Sequence, residues 1–204
     1  GTKAMSAALG VAAVARKVRV LAYMVGNRDD SGRARQTTKA VSFAPQRIYA
    51  ERDLAQAVEH FNAGDFGAAE RLAGRVCSDF GKGSGEPLRA RAMALADLAQ
   101  GYLWWDLFLY KQARHRLAKA AKWRFSPELR TRLKDHVAFL GGCIETTSDP
   151  AGRPQPGTWA LHRLADLYAN ARRRLEQARY DDAVARCYRL LEYLAQRRLW
   201  LGYQ

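Results

Sequence analysis

Two hydrophobic rhythms follow one another along this chain. From Gly1 to about Pro45 the sequence reads as α then β. Thr2 caps a helix through Ala4, Ala7, Ala8, Val11, Ala12 and Ala15, whose small side chains suit close packing on a sheet. Val18 to Val25 is a short run rich in β-branched residues, as a buried strand requires. Gly26 to Gly32 is dense in turn formers, and Lys39 to Phe43 resumes strand character before Pro45. Two strands make a marginal unit in water, so the segment reads as part of a larger sheet and the chain as the interior of a longer one.

From Tyr49 onward helical periods replace this pattern. They predict helices near 51–63, 66–80, 87–103, 104–123, 127–141, 158–178 and 181–198, with no strand signal among them. Two junctions share a theme, one at Phe61-Asn62-Ala63-Gly64-Asp65-Phe66 and the other at Leu175-Glu176-Gln177-Ala178-Arg179-Tyr180. In each a helix ends, a small or polar turn follows, and an aromatic residue opens the next helix, as in tetratricopeptide-like hairpins. Two copies predict local hairpins and not a solenoid. Ser148 to Thr158, with three prolines and two glycines, is a linker ahead of the last two helices. The expected architecture is mainly α, with a small α/β part at the N-terminus.

Charge adds a partner class. The chain has 34 Lys and Arg against 20 Asp and Glu, a formal net charge of +14 and a pI near 10.1. Neutralising phosphates releases counterions, so polyanions are the first partners to consider, a solvated helix face being the alternative. Cys77, Cys143 and Cys187 are odd in number and far apart, which suits a reducing cytoplasm and small buried apolar roles, with no disulfide framework or metal site. No apolar run reaches the roughly 18 residues that span a bilayer. The stretch from Ala4 to Val14 ends in Ala-Arg-Lys-Val-Arg, where a secretory signal would carry small residues, so neither export nor membrane insertion is expected.

Gly1-Thr2-Lys3-Ala4-Met5-Ser6, followed by the small-residue helix and then Arg19-Val20-Leu21-Ala22-Tyr23, resembles the second conserved motif of CARF domains in type III CRISPR systems. Ala57 to Phe66 and Tyr180 to Glu192 resemble the helical half of a CRISPR-associated CARF–HEPN family. The resemblance implies a Rossmann-like CARF part over 1–48, a helical bundle over 49–147 and the start of a HEPN-like helical domain over 158–204. It also implies that Gly1, Thr2, Lys3 and Met5 hold cyclic oligoadenylate at the twofold axis of a homodimer. The chemistry fits: glycine lets backbone approach, Thr2 offers a hydroxyl, the first helical N–H groups point outward, and Lys3 adds charge. Asn27 and Arg28 follow the adjacent strand and are candidates for the same ligand.

HEPN ribonucleases use an Arg, usually followed by a polar residue, and a His four to six residues on, with no metal. The His acts as base or acid on a ribose hydroxyl, and the Arg stabilises the phosphate. Among the four histidines only His136, after Arg130 and Arg132, approaches that spacing, and it lacks the Arg-Asn…His-Gly context; Asp135 beside it suggests a surface salt-bridge cluster. The resemblance implies that the catalytic stretch lies beyond Gln204, so catalytic residues are not assigned and this chain alone is expected to be inactive. Trp104, Trp105 and Phe108, interleaved with Lys111, Arg114 and Arg116, suit either core packing or stacking on single-stranded RNA, and their helical spacing favours the core.

The sequence therefore reads as a piece of a sensor–ribonuclease effector. The competing class is a non-catalytic helical module that binds a protein or RNA partner. A DNA-binding regulator ranks last, for want of an exposed recognition helix.

Overall fold

A computed structural model describes residues 8–12, 21–25, 31, 39–43, 46–79, 86–144 and 158–202. Helix α1 is described over 8–12. Strands β1 (Leu21–Val25) and β2 (Lys39–Phe43) pair antiparallel, with Leu21 opposite Phe43 and Val25 opposite Lys39. A Rossmann-like unit contains a parallel sheet covered by helices. Among the described residues the N-terminal part consists of α1 and this two-stranded ribbon.

Seven helices follow: α2 (Gln46–Asn62), α3 (Phe66–Asp79), α4 (Glu86–Asp106), α5 (Tyr110–Ala120), α6 (Pro127–Cys143), α7 (Thr158–Glu176) and α8 (Tyr180–Gly202). The mainly helical class expected from the periodicity is what the structure shows. Two cores arise from alanine-rich stripes. Ala50, Leu54 and Ala57 on α2 meet Ala73 and Val76 on α3 and Leu88 and Ala92 on α4. Leu98 on α4 meets Ala113, Leu117 and Ala120 on α5 and Leu133 and Leu140 on α6. Alanine contributes little area, but it lets helix backbones approach, and the larger Leu and Val side chains fill the space between. Gly101 serves the same end, because a Cβ there would run into the Leu117 side chain.

Three helix junctions are built alike. At the first, Gly64 N–H donates to the Phe61 carbonyl at 3.0 Å and Asp65 N–H to the His60 carbonyl at 2.8 Å. At the second, Phe108 N–H donates to Trp105 at 2.8 Å and Leu109 N–H to Trp104 at 2.9 Å. At the third, Ala178 N–H donates to Leu175 at 3.0 Å and Arg179 N–H to Arg174 at 2.9 Å. This is the Schellman pattern, and it needs a left-handed residue. That residue is Gly64 (φ 77°), Phe108 (φ 60°) and Ala178 (φ 56°) in turn. The residue after it is also the N-cap of the next helix, so each connection is three residues long.

The middle turn departs from the expected boundary. The sequence predicts a break between 103 and 104, whereas α4 runs to Asp106 and α5 spans Tyr110 to Ala120 rather than 104–123. The run from Tyr102 to Tyr110 has no glycine or proline to mark a turn, and Phe108 takes the left-handed conformation itself. Its ring lies 6.2 Å from that of Tyr110 and 5.8 Å from the Arg186 guanidinium, contacts that hold it in place. Helix α6 begins where its signals say: Ser126 caps by accepting from Leu129 N–H at 3.3 Å, and Pro127 follows.

Candidate functional site

Helix α7 carries a polar stripe on the face it buries. Arg163, Asp166, Asn170 and Arg174 recur every three or four residues and therefore lie on one side of the helix, with Gln177 in the turn just beyond its end. Asp166 is 2% exposed, Asn170 0% and Arg174 5%. A buried charge is tolerated only when partnered, and each of these finds its partner on the preceding helices.

Arg163 Nε donates to the Cys143 carbonyl at the end of α6, 2.8 Å away, and its guanidinium lies 5.6 Å from the centre of the Tyr110 ring. Asp166 accepts from Trp105 Nε1 at 2.9 Å and from the Tyr110 hydroxyl at 3.1 Å. Asn170 Nδ2 donates to Asp106 Oδ1 at 3.2 Å, and the other Asp106 oxygen forms an ion pair with Arg174. Arg174 also donates to Gln177 Oε1 at 2.9 Å, and Gln177 Nε2 reaches the Ala63 carbonyl in the first turn at 3.0 Å. The stripe thus fastens α7 to the end of α6, to the α4–α5 turn and to the α2–α3 turn.

Two features make this seam electrostatically tense. Burial pushes the Asp166 carboxyl above the usual range despite its two donors. Asn170 Oδ1 and Arg174 Nε are buried with no hydrogen-bond partner among the described residues. A polar network left partly unsatisfied is held less firmly than a complete one.

An aromatic chain runs beside the seam. Phe61, Phe66 and Tyr102 pack with ring centres 5.3 to 5.4 Å apart, and Tyr102 stacks on Trp105 at 5.9 Å. His136 stands edge-on to both, 5.7 and 5.2 Å away, and its Nδ1 shares a 2.7 Å hydrogen bond with the Tyr102 hydroxyl. Burial lowers the His136 pKa and raises that of Tyr102 to about 12. Phe139, 5.8 Å from Trp105, leads on to His162 at 5.4 Å. Trp104, Trp105 and Phe108, whose spacing favours the core, are partly buried and pack against it, as do Phe61, Tyr102 and Phe139.

The candidate residues fall in different places. Gly1, Thr2, Lys3, Met5, Asn27 and Arg28 lie outside the described residues. His136 belongs to the aromatic chain, with Arg132 exposed one turn earlier. His60 pairs with Asp65 at 3.5 Å, and His115 is exposed on α5. Cys143 is fully buried, with its thiol pushed up to about 12 by burial, Cys77 is half-buried, and Cys187 is exposed. No group of three His, Cys, Asp or Glu among the described residues is placed to hold a metal. No described helix is long and apolar enough to cross a membrane. The polar stripe on α7 escaped the sequence reading, although Asp166, Asn170 and Arg174, at i, i+4 and i+8, were its visible signal.

Comparison with known families divides the chain at this seam. Residues 49–145 match the family described as the Csm6 6H domain, and residues 158–204 match the Csm6 HEPN domain. No curated protein sequence matches the chain. Asp106 falls in the first matched region and Arg174 in the second.

Proposed function

Because the chain belongs to the CRISPR-associated Csm6-type CARF–HEPN proteins, we propose that it is part of an antiviral effector in which cyclic oligoadenylate captured by a CARF part switches on a HEPN ribonuclease. In this reading residues 1–48 are the C-terminal part of the CARF domain, 49–147 the helical relay and 158–204 the start of the HEPN domain. The effector works in the cytoplasm as a homodimer, with no metal in its cleavage chemistry.

The observation that carries this reading is the buried Asp106–Arg174 pair, with Asn170 beside it, joining the relay to the HEPN helices. Allostery needs an element with two arrangements that both sites bias. A polar seam with unsatisfied atoms suits that role, since its groups can exchange one set of discrete partners for another. Around the ligand, the Gly1-Thr2-Lys3 turn would give backbone N–H groups, a hydroxyl and a cation to the phosphates, with Met5, Asn27 and Arg28 against the same face.

Calorimetric titration with cyclic oligoadenylate of the effector carrying its whole CARF domain tests the sensor. The expected result is saturable binding that Lys3→Ala weakens by at least about tenfold, as removal of one charge-assisted hydrogen bond to phosphate should. Absence of binding, or binding indifferent to Lys3→Ala, contradicts the reading and favours a helical interaction module.

A further inference from the structure

The positive charge of this chain is concentrated on one hairpin. Between Tyr110 and Cys143, the span of α5 and α6, there are nine Lys and Arg against two carboxylates, a surplus of seven out of the chain's net +14. The cations of α5 and of the turn after it divide into two sets. Arg116 and Lys119 turn toward α4 and meet Asp97 at 2.8 and 3.8 Å. Lys111, Arg114 and Lys122, with His115, are exposed, and none has a carboxylate of the described residues at ion-pair distance.

The exposed set lies side by side with a matching row on α6. Arg114 lies over Gly141, where an added Cβ would stand 3.5 Å from its Nε. Gly141 is seven residues beyond Lys134 and eleven beyond Arg130, spacings that keep all three on one face of α6. Lys111, Arg114 and His115 on α5 therefore share one face of the hairpin with Arg130 and Lys134 on α6, neighbours three or four residues apart having Cβ atoms about 5–6 Å apart, and Lys122 extends the row into the turn between the helices. The residues set between them are small: Ala118 and Ala138, both exposed.

We infer that this outer face of α5–α6 is a docking track for the phosphodiester backbone of single-stranded RNA, a site for holding substrate apart from the HEPN helices. A protein partner would need a buried aromatic or apolar anchor at the centre of its footprint, and the face offers none. Rows of cations without apolar relief fit a polyanion, whose binding is driven by counterion release and carries no sequence readout. The inference takes its substrate class from the proposed function, but it is tested by binding alone, with neither cyclic oligoadenylate nor cleavage involved.

The probe is a short end-labelled oligouridylate read by fluorescence anisotropy over a salt series. One variant carries Lys111→Gln, Arg114→Gln, Arg130→Gln and Lys134→Gln. A second removes the same charge from exposed sites on α2 and α3, with Arg47→Gln, Arg52→Gln, Arg71→Gln and Arg75→Gln. The first should bind at least about tenfold more weakly, and its salt slope should shrink by about 0.7 for each phosphate it no longer neutralises. The second should change affinity by less than about threefold. A third variant, Arg114→Lys with Arg130→Lys, keeps the charge and the cover over Gly141 and should bind as the parent does; circular dichroism confirms the fold of each. Equal weakening in the first two variants, or none in the first, overturns the inference. So does competition by polyglutamate at the same charge concentration as RNA, since that would mark the face as a site for acidic protein.

Discussion

Arg174 on α7 and Asp106 at the end of α4 form a buried ion pair that spans the boundary between the two matched domains. Removing one partner strands a charge in a site where both residues are under one-tenth exposed. Arg174→Ala is therefore expected to cost about 3–5 kcal/mol. Replacing both, as Asp106→Leu with Arg174→Met, should cost less than either single change, because no charge is left behind. Urea denaturation of the parent, Arg174→Ala, the double variant and its two component single variants measures this; a single-variant cost below about 1 kcal/mol would mean that water screens the pair.

The three Schellman turns supply a contrast between glycine and alanine. Gly64→Ala forces a Cβ into a left-handed residue and against the Gln177 side chain, so it should destabilise by about 1–2 kcal/mol. Ala178→Gly removes that strain at an exposed site and should stabilise by about 1 kcal/mol. Thermal melting reads both, and shifts of the same sign would contradict the account.

Where sequence reasoning succeeded, a local signal agreed with the packing. The helical period places a helix at 127–141, and α6 begins at Pro127 behind the Ser126 cap; the periods over 51–63 and 66–80 likewise became α2 and α3. The turns at Gly64 and Ala178 showed through their flanking aromatic and alanine residues. The equivalent turn at Phe108 was hidden, because its left-handed residue is aromatic and held by tertiary contacts with Tyr110 and Arg186 that no local window contains. The polar seam was obscured for a similar reason. Asp166, Asn170 and Arg174 look like a solvated stripe until Trp105, Asp106 and Tyr110, some sixty positions away, are folded against them.

His136 makes acid stability asymmetric. Burial holds its pKa below the ordinary 6.5, so the unfolded chain binds the proton more readily than the folded one. Its contribution is intact above pH 6.5 and is lost as the pH falls through the window below that value. Stability measured across this window should rise with pH, and His136→Phe should flatten the rise. An unchanged slope in that variant would place the titrating group elsewhere.

The three thiols should react in the order of their exposure. Cys187 is open to solvent, Cys77 is half-buried with its pKa raised, and Cys143 is enclosed with its thiol near 12. A thiol-specific reagent followed by peptide mapping should label Cys187 first and leave Cys143 untouched until the chain unfolds. Early labelling of Cys143 would show that the α6–α7 contact opens in the native state.

Hydrogen exchange across α7 tests the central claim that ligand capture reaches the HEPN helices through the polar seam. With saturating cyclic oligoadenylate, protection of the backbone from Asp166 to Arg174 should change in the parent protein. In Arg174→Ala that segment should already be weakly protected and respond little to ligand. Bound ligand that leaves exchange from Asp166 to Arg174 unaltered in the parent would contradict the account.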